Sequence, residues 1–223
     1  MSALPKQNPS TGELTIRPLE PTIGAEISGV DLRQPLSDAV RDEIKAALLD
    51  WKVVFFRDQE LTPDQHAAFA SRFGPLYTHP NTKRDANIVH IHKISAVDFS
   101  KHEIVRDPTT VEAGYHTDTS WRLVPTWGAV LRAVNLPEVG GDTIWVDAGA
   151  AYDGLSDALK ARLEGLHVTH DYREALSRAG FDYPIVAHPI VRTHRETGRK
   201  TLWVNFTQRP HIIGLDLDEA KEI

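Results

Sequence analysis

Tyr115-His116-Thr117-Asp118-Thr119-Ser120-Trp121 sets an imidazole and a carboxylate two residues apart, in a stretch whose pattern predicts a strand. Side chains alternate faces along a strand, so His116 and Asp118 are expected to point the same way. A histidine and an aspartate on one face supply two of the three ligands of a 2-His-1-carboxylate triad. That triad is the usual cage for oxygen-activating non-haem Fe(II). The chain holds 11 histidines in 223 residues, enough to justify a search for further ligands.

Working outward, short apolar runs alternate with a few helical patterns. Leu14 to Pro18 and the Gly-punctuated run Gly24 to Leu32 predict the first strands. Ser37 has the character of a helix N-cap, ahead of Val40, Ile44, Ala47, Leu48 and Trp51 at helical spacing. Val53 to Phe56 predicts a short buried strand. Thr62-Pro63 then opens a second helix that stops at Gly74-Pro75. Asn87 to Ile94 has strand character, and residues 95–112, without a firm period, read as a loop. Thr126 to Val134 and Asp142 to Val146 are strand candidates. Ser156 starts another helix through Leu159, Leu163 and Leu166. Pro189–Thr193 and Lys200–Val204 flank Arg195-Glu196-Thr197-Gly198 as a hairpin. Leu215 to Ile223 begins an acidic amphipathic segment. The expected architecture is mainly β with flanking helices, mostly at the front, in an α+β sandwich or barrel. Residues 1–13 are expected to be a flexible leader and 14–223 a single domain.

Composition narrows the function classes. A net charge of -6 argues against a nucleic-acid partner, because phosphate binding wants a basic face. No apolar run has the length of a membrane span. With no cysteine there is no disulfide framework and no thiolate chemistry, which fits a cytoplasmic location. Neither G-x-G-x-x-G nor G-x-x-x-x-G-K-[ST] occurs, so no nucleotide loop is indicated.

Several blocks taken together resemble the taurine dioxygenase family, the TauD/TfdA group of Fe(II)- and 2-oxoglutarate-dependent oxygenases. They are Gly24 to Leu32, Val53 to Gln59, Phe73-Gly74-Pro75-Leu76 with His79-Pro80, Tyr115 to Asp118, Gly140-Gly141-Asp142-Thr143, and His188 to His194 with Thr197-Gly198-Arg199. They occur in the family's order and span most of residues 14 to 210. The resemblance implies a double-stranded β-helix, or jelly-roll, core. It makes His116 and Asp118 the first two iron ligands and gives Thr143 a hydrogen bond to a carboxylate of 2-oxoglutarate. A hydroxyl suits that task because it donates to an anion without adding charge. His79 falls where taurine-type members place a substrate-contacting histidine. A threonine after Gly-Gly-Asp also suits a strand start, and a histidine before proline also suits an ordinary loop.

The implied cofactors are Fe(II), 2-oxoglutarate and O2. The implied reaction hydroxylates a small organic anion and releases succinate and CO2. Dimers and tetramers occur in the family, so a homo-oligomer is expected. Val111 to Tyr115 lacks the Asn of the taurine enzymes, which points away from taurine itself. The family pattern also needs a second His well over a hundred residues after the His-x-Asp, and an Arg beyond it to pair with 2-oxoglutarate. Since the chain ends at Ile223, a jelly-roll lacking its C-terminal strands is expected, with weak iron binding and unpaired edges. Substitution of the absent ligand by His170, His188 or His194 is a rival. Turn packing is the simpler role for His188 and His194. The alternative function is a non-catalytic or truncated member that acts as a binding or scaffold protein.

Overall fold

The computed structural model describes residues 14–80, 91, 114–140, 142–178, 180–205 and 210–223. The leader 1–13, the loop 95–112 and, Ile91 apart, the strand expected over Asn87–Ile94 lie outside the described residues. The chain divides into two compact units. The first comprises Met1–Leu76 and Val130–Asp147; the second comprises Tyr77–Ala129 and Ala148–Ile223.

In the first unit, β1 (Thr15–Pro18) pairs antiparallel with β2 (Ala25–Ser28), which pairs parallel with β3 (Val54–Phe55). Helix α1 (Asp38–Trp51) joins β2 to β3, as a parallel crossover requires. Its start is fixed by Ser37, whose side chain accepts from the Val40 amide. Lys52 ends it in the left-handed conformation. Helix α2 (Pro63–Ser71) opens with the full capping box of Thr62 and Gln65. The apolar faces of these helices and of β2 meet in one core of Leu14, Ile27, Leu32, Ile44, Ala47, Leu61 and Phe69. Phe69 packs edge-on against Phe56 and Phe73. The strand expected over Val53–Phe56 shortens to two half-buried residues. It lies at the edge of its sheet and gains cover from one side only.

The segments Thr126–Val134 and Asp142–Val146 are not strands, contrary to expectation. Their β-prone composition finds no described strand to pair with, and a strand's backbone groups need such a partner. Leu131 is 68% exposed and Ile144 66% exposed.

The second unit holds α3 (Ala148–Asp153), α4 (Asp157–Leu163), β4 (His167–His170), α5 (Arg173–Arg178), β5 (Val186–Pro189), β6 (Val191–Thr193), β7 (Lys200–Leu202) and α6 (Leu217–Glu222). Strand β4 pairs antiparallel with β5, and β6 with β7. The backbone of β4 also bonds to His211 and Ile213, bringing the end of the chain onto its other edge. Leu163, Val168, Ile190 and Ile212 form the core. The β6–β7 hairpin falls where Arg195 to Gly198 predicted a turn, with Gly198 at φ 70. Helices also populate this later half of the chain. Strand β4 escaped the sequence pattern because His-Val-Thr-His carries one apolar residue, and α3 is too short to show a period. Among the described residues, no helix is long and apolar enough to cross a membrane.

Candidate metal centre

The stretch that was expected to be a strand is a turn. Residues 114–117 are irregular, 118–121 turn, and Thr119 takes a positive φ of 54. A β-branched residue in the left-handed region costs about 1–3 kcal/mol and persists only where its surroundings hold it. Here the Thr119 hydroxyl accepts from the Thr126 amide at 2.8 Å and shares a hydrogen bond with the Thr126 hydroxyl at 2.9 Å.

The turn still delivers what strand alternation would have given. His116 Nε2 lies 3.4 Å from Asp118 Oδ1, and both side chains are exposed. Two cis ligands about 2.1 Å from a shared ion sit about 3 Å apart, so the pair fits a metal with little adjustment. The imidazole is oriented for it. His116 Nδ1 donates to the Gly114 carbonyl at 2.7 Å, so in the neutral ring Nε2 carries the lone pair that faces Asp118. Gly114 itself adopts a φ of 78, which a glycine accepts without strain. The Asp118 carboxylate beside it holds the His116 pKa above the usual histidine value against partial burial, with the Gly114 carbonyl helping. His116 in turn holds Asp118 below the usual carboxylate range against its own desolvation, and the charge of His79 adds to the effect.

Three of the residues singled out in the sequence therefore lie in the second unit within mutual influence: His116, Asp118 and His79. His79 is half-buried and meets Trp121 edge-on at 6.4 Å. Trp121 is buried, stacked on Tyr172 at 5.6 Å and met edge-on by Tyr183 at 4.9 Å, whereas Trp127 is exposed. Thr143 belongs to the first unit, exposed on the irregular stretch 142–147. Among the described residues, no third His, Cys, Asp or Glu completes a metal-holding group of three.

The substitute ligands have other work. His188, on β5, donates from Nε2 to the carbonyls of Ser120 at 2.9 Å and Arg122 at 3.0 Å, which withdraws that nitrogen from metal binding. His170, on β4, shares a hydrogen bond through Nδ1 with the Ser120 hydroxyl at 3.0 Å. His194 accepts from the Thr197 amide in the β6–β7 turn. Both His170 and His188 are buried, and burial holds their pKa values below the ordinary one. Ser120 lay inside the stretch read first, yet a serine among polar turn residues carries no signal of burial.

A turn that sets an imidazole nitrogen 3.4 Å from a carboxylate brings together two of the ligand types of a non-haem metal site. The profile of the taurine catabolism dioxygenase TauD, TfdA family matches residues 15–223. An (S)-phenoxypropionate/alpha-ketoglutarate-dioxygenase from Sphingobium herbicidovorans is 33% identical over 93% of this chain and 76% of its own length. An alpha-ketoglutarate-dependent sulfonate dioxygenase from Saccharomyces cerevisiae is 31% identical over 96% of this chain and 54% of its own length. The crystal structure of a taurine dioxygenase from Burkholderia xenovorans superposes with a TM-score of 0.79 at 36% identity, covering 94% of this chain and 70% of that one. The chain belongs to the TauD/TfdA family and is an Fe(II)- and 2-oxoglutarate-dependent dioxygenase, with O2 as the oxidant.

Proposed function

We propose that this protein hydroxylates a small organic anion, with His116 and Asp118 as two of the iron ligands. The observation that carries this is the 3.4 Å approach of Nε2 to Oδ1 with the other ring nitrogen tied to Gly114. Bound iron supplies the oxidation: one oxygen atom of O2 enters the substrate C–H bond and the other enters succinate as 2-oxoglutarate loses CO2. The chain's own groups bind and orient. The exposed Thr143 hydroxyl is suited to donate to a carboxylate of 2-oxoglutarate. His79, near Asp118 and against Trp121, is suited to donate to the substrate anion beside an apolar wall. The relatives named for sulfonates and phenoxypropionate favour an anionic substrate.

The same reading makes residues 14–223 one domain with a jelly-roll core, supported by the likeness to the solved taurine dioxygenase. It takes the protein as a homo-oligomer without nucleic-acid or membrane partners. It also places the protein in the cytoplasm, where reducing conditions preserve Fe(II). Succinate formation from 2-oxoglutarate with Fe(II), across a panel of sulfonates, sulfate esters and aryloxyalkanoates, tests the assignment. A small anion is expected to raise turnover, and His116→Ala and Asp118→Ala to abolish it. Turnover that survives in both variants overturns the assignment. A second reading, a binding or scaffold member, is favoured by the lack of a third ligand group among the described residues. It predicts that the wild-type chain makes no succinate with any substrate in the panel.

A further inference from the structure

We propose that Ser120 and Asn205, with His188, are positioning residues that fix the Asp118 carboxylate for metal. This rests on the assignment of His116 and Asp118 as an iron pair. Ser120 follows Asp118 by two residues and is 0% exposed; Asn205 is 1% exposed. Asn205 Nδ2 donates to the Ser120 hydroxyl at 2.7 Å and reaches the Thr117 carbonyl at 3.4 Å. One amide thus grips the chain on both sides of Asp118. His188 holds the same turn by its backbone, through the carbonyls of Ser120 and Arg122. His170 meets the Ser120 hydroxyl from β4.

Three separate segments, β4, β5 and the stretch after β7, therefore send buried polar side chains to a single turn. A core serving stability alone has little use for such a cluster, because each buried polar group costs free energy unless paired. What the cluster does accomplish is rigidity at a place where the backbone is strained, at Thr119, and where a carboxylate must keep its angle to an imidazole. The clamping groups are a hydroxyl, an amide and two imidazoles already hydrogen-bonded to the turn, so they add no carboxylate to compete for the ion. Partners one layer behind a metal ligand set its direction.

The test is an anaerobic titration of the full chain with Co(II) alone, reading affinity and the visible d–d bands. Ser120→Ala and Asn205→Ala are compared with His116→Ala and with Leu163→Ala, which damages the core of the same unit away from the turn. Ser120→Ala and Asn205→Ala are each expected to weaken Co(II) binding about 10- to 100-fold and to shift the bands. Leu163→Ala is expected to lower the melting temperature while leaving affinity and bands at their wild-type values. If Ser120→Ala does not fold, Asn205→Ala and His188→Gln carry the comparison. Wild-type affinity and bands in the clamp variants, with binding lost in His116→Ala, overturn the clamp and leave the iron pair standing. Co(II) bands that do not depend on His116 overturn both.

Discussion

Replacing His170 by Asn is expected to remove a defined part of the protein's acid sensitivity. His170 is 1% exposed on β4, and its pKa is pushed down to about 4, first by burial and then by His188 and Arg192. Of the groups that face it, Arg192 is cationic and His188 becomes so only when protonated, and its nearest hydrogen-bonding neighbour is the neutral Ser120 hydroxyl. In the unfolded chain the same ring titrates at its ordinary value of 6.5. Between these two values the unfolded state binds a proton that the folded state does not, so stability falls as pH drops. The slope reaches at most about 1.4 kcal/mol per pH unit. Over the whole window the loss comes to about 3 kcal/mol, and below the folded value it grows no further. Urea unfolding of the wild type and of His170→Asn, followed from about pH 7 to pH 4, measures the difference. Carboxylates that titrate in this range are common to both proteins and cancel. The Asn side chain itself costs a constant offset, which leaves the slope untouched. The wild type is therefore expected to lose about 3 kcal/mol more than the variant across the window. Parallel curves would show that His170 is protonated as readily in the fold as in the unfolded chain, and the burial argument would fail.

Ile44, almost fully buried at the centre of the first core, is expected to cost about 2–5 kcal/mol when cut to Ala, read as a lower urea midpoint at unchanged slope. A loss below about 1 kcal/mol would mean that α1 does not pack on β2 as described. Thr62→Ala removes the capping box of α2 and is expected to cost about 1 kcal/mol by the same measurement; no change would show that the cap is not formed in solution. The exposed apolar side chains Leu131, Val134, Ile144 and Val146 are expected to bind the dye ANS, with Leu131→Glu and Ile144→Glu reducing its fluorescence at constant melting temperature. A fall in melting temperature of core size would show that these side chains are buried in solution.

Local signals carried much of the fold. Ser37, Thr62 and Ser156 mark helix starts because a side-chain oxygen beside an unpaired amide is a short-range interaction that needs no tertiary partner. The β6–β7 turn is likewise written in Thr197-Gly198. The His-x-Asp pair stood out as two candidate ligands, and the ordered blocks around it were legible as a family. The route by which the pair meets was not, because the alternation argument assumed a strand and the protein uses a strained turn. Strand status depends on a partner that a local pattern does not name. That is why β4, weak in the sequence, is paired on both edges while the stronger candidates over 126–134 and 142–146 join no described strand.

The sequence alone thus determined the candidate pair His116 and Asp118, the helix starts and the family, since each depends on neighbours within a few residues or on an ordered series of short motifs. Only the tertiary structure decided what fixes the pair in place. Ser120, His170, His188 and Asn205 are separated by up to 85 residues and converge through packing. Burial of a polar side chain is a property of what surrounds it, and nothing in Ser120 or Asn205 as residue types distinguishes a clamp from a solvated loop.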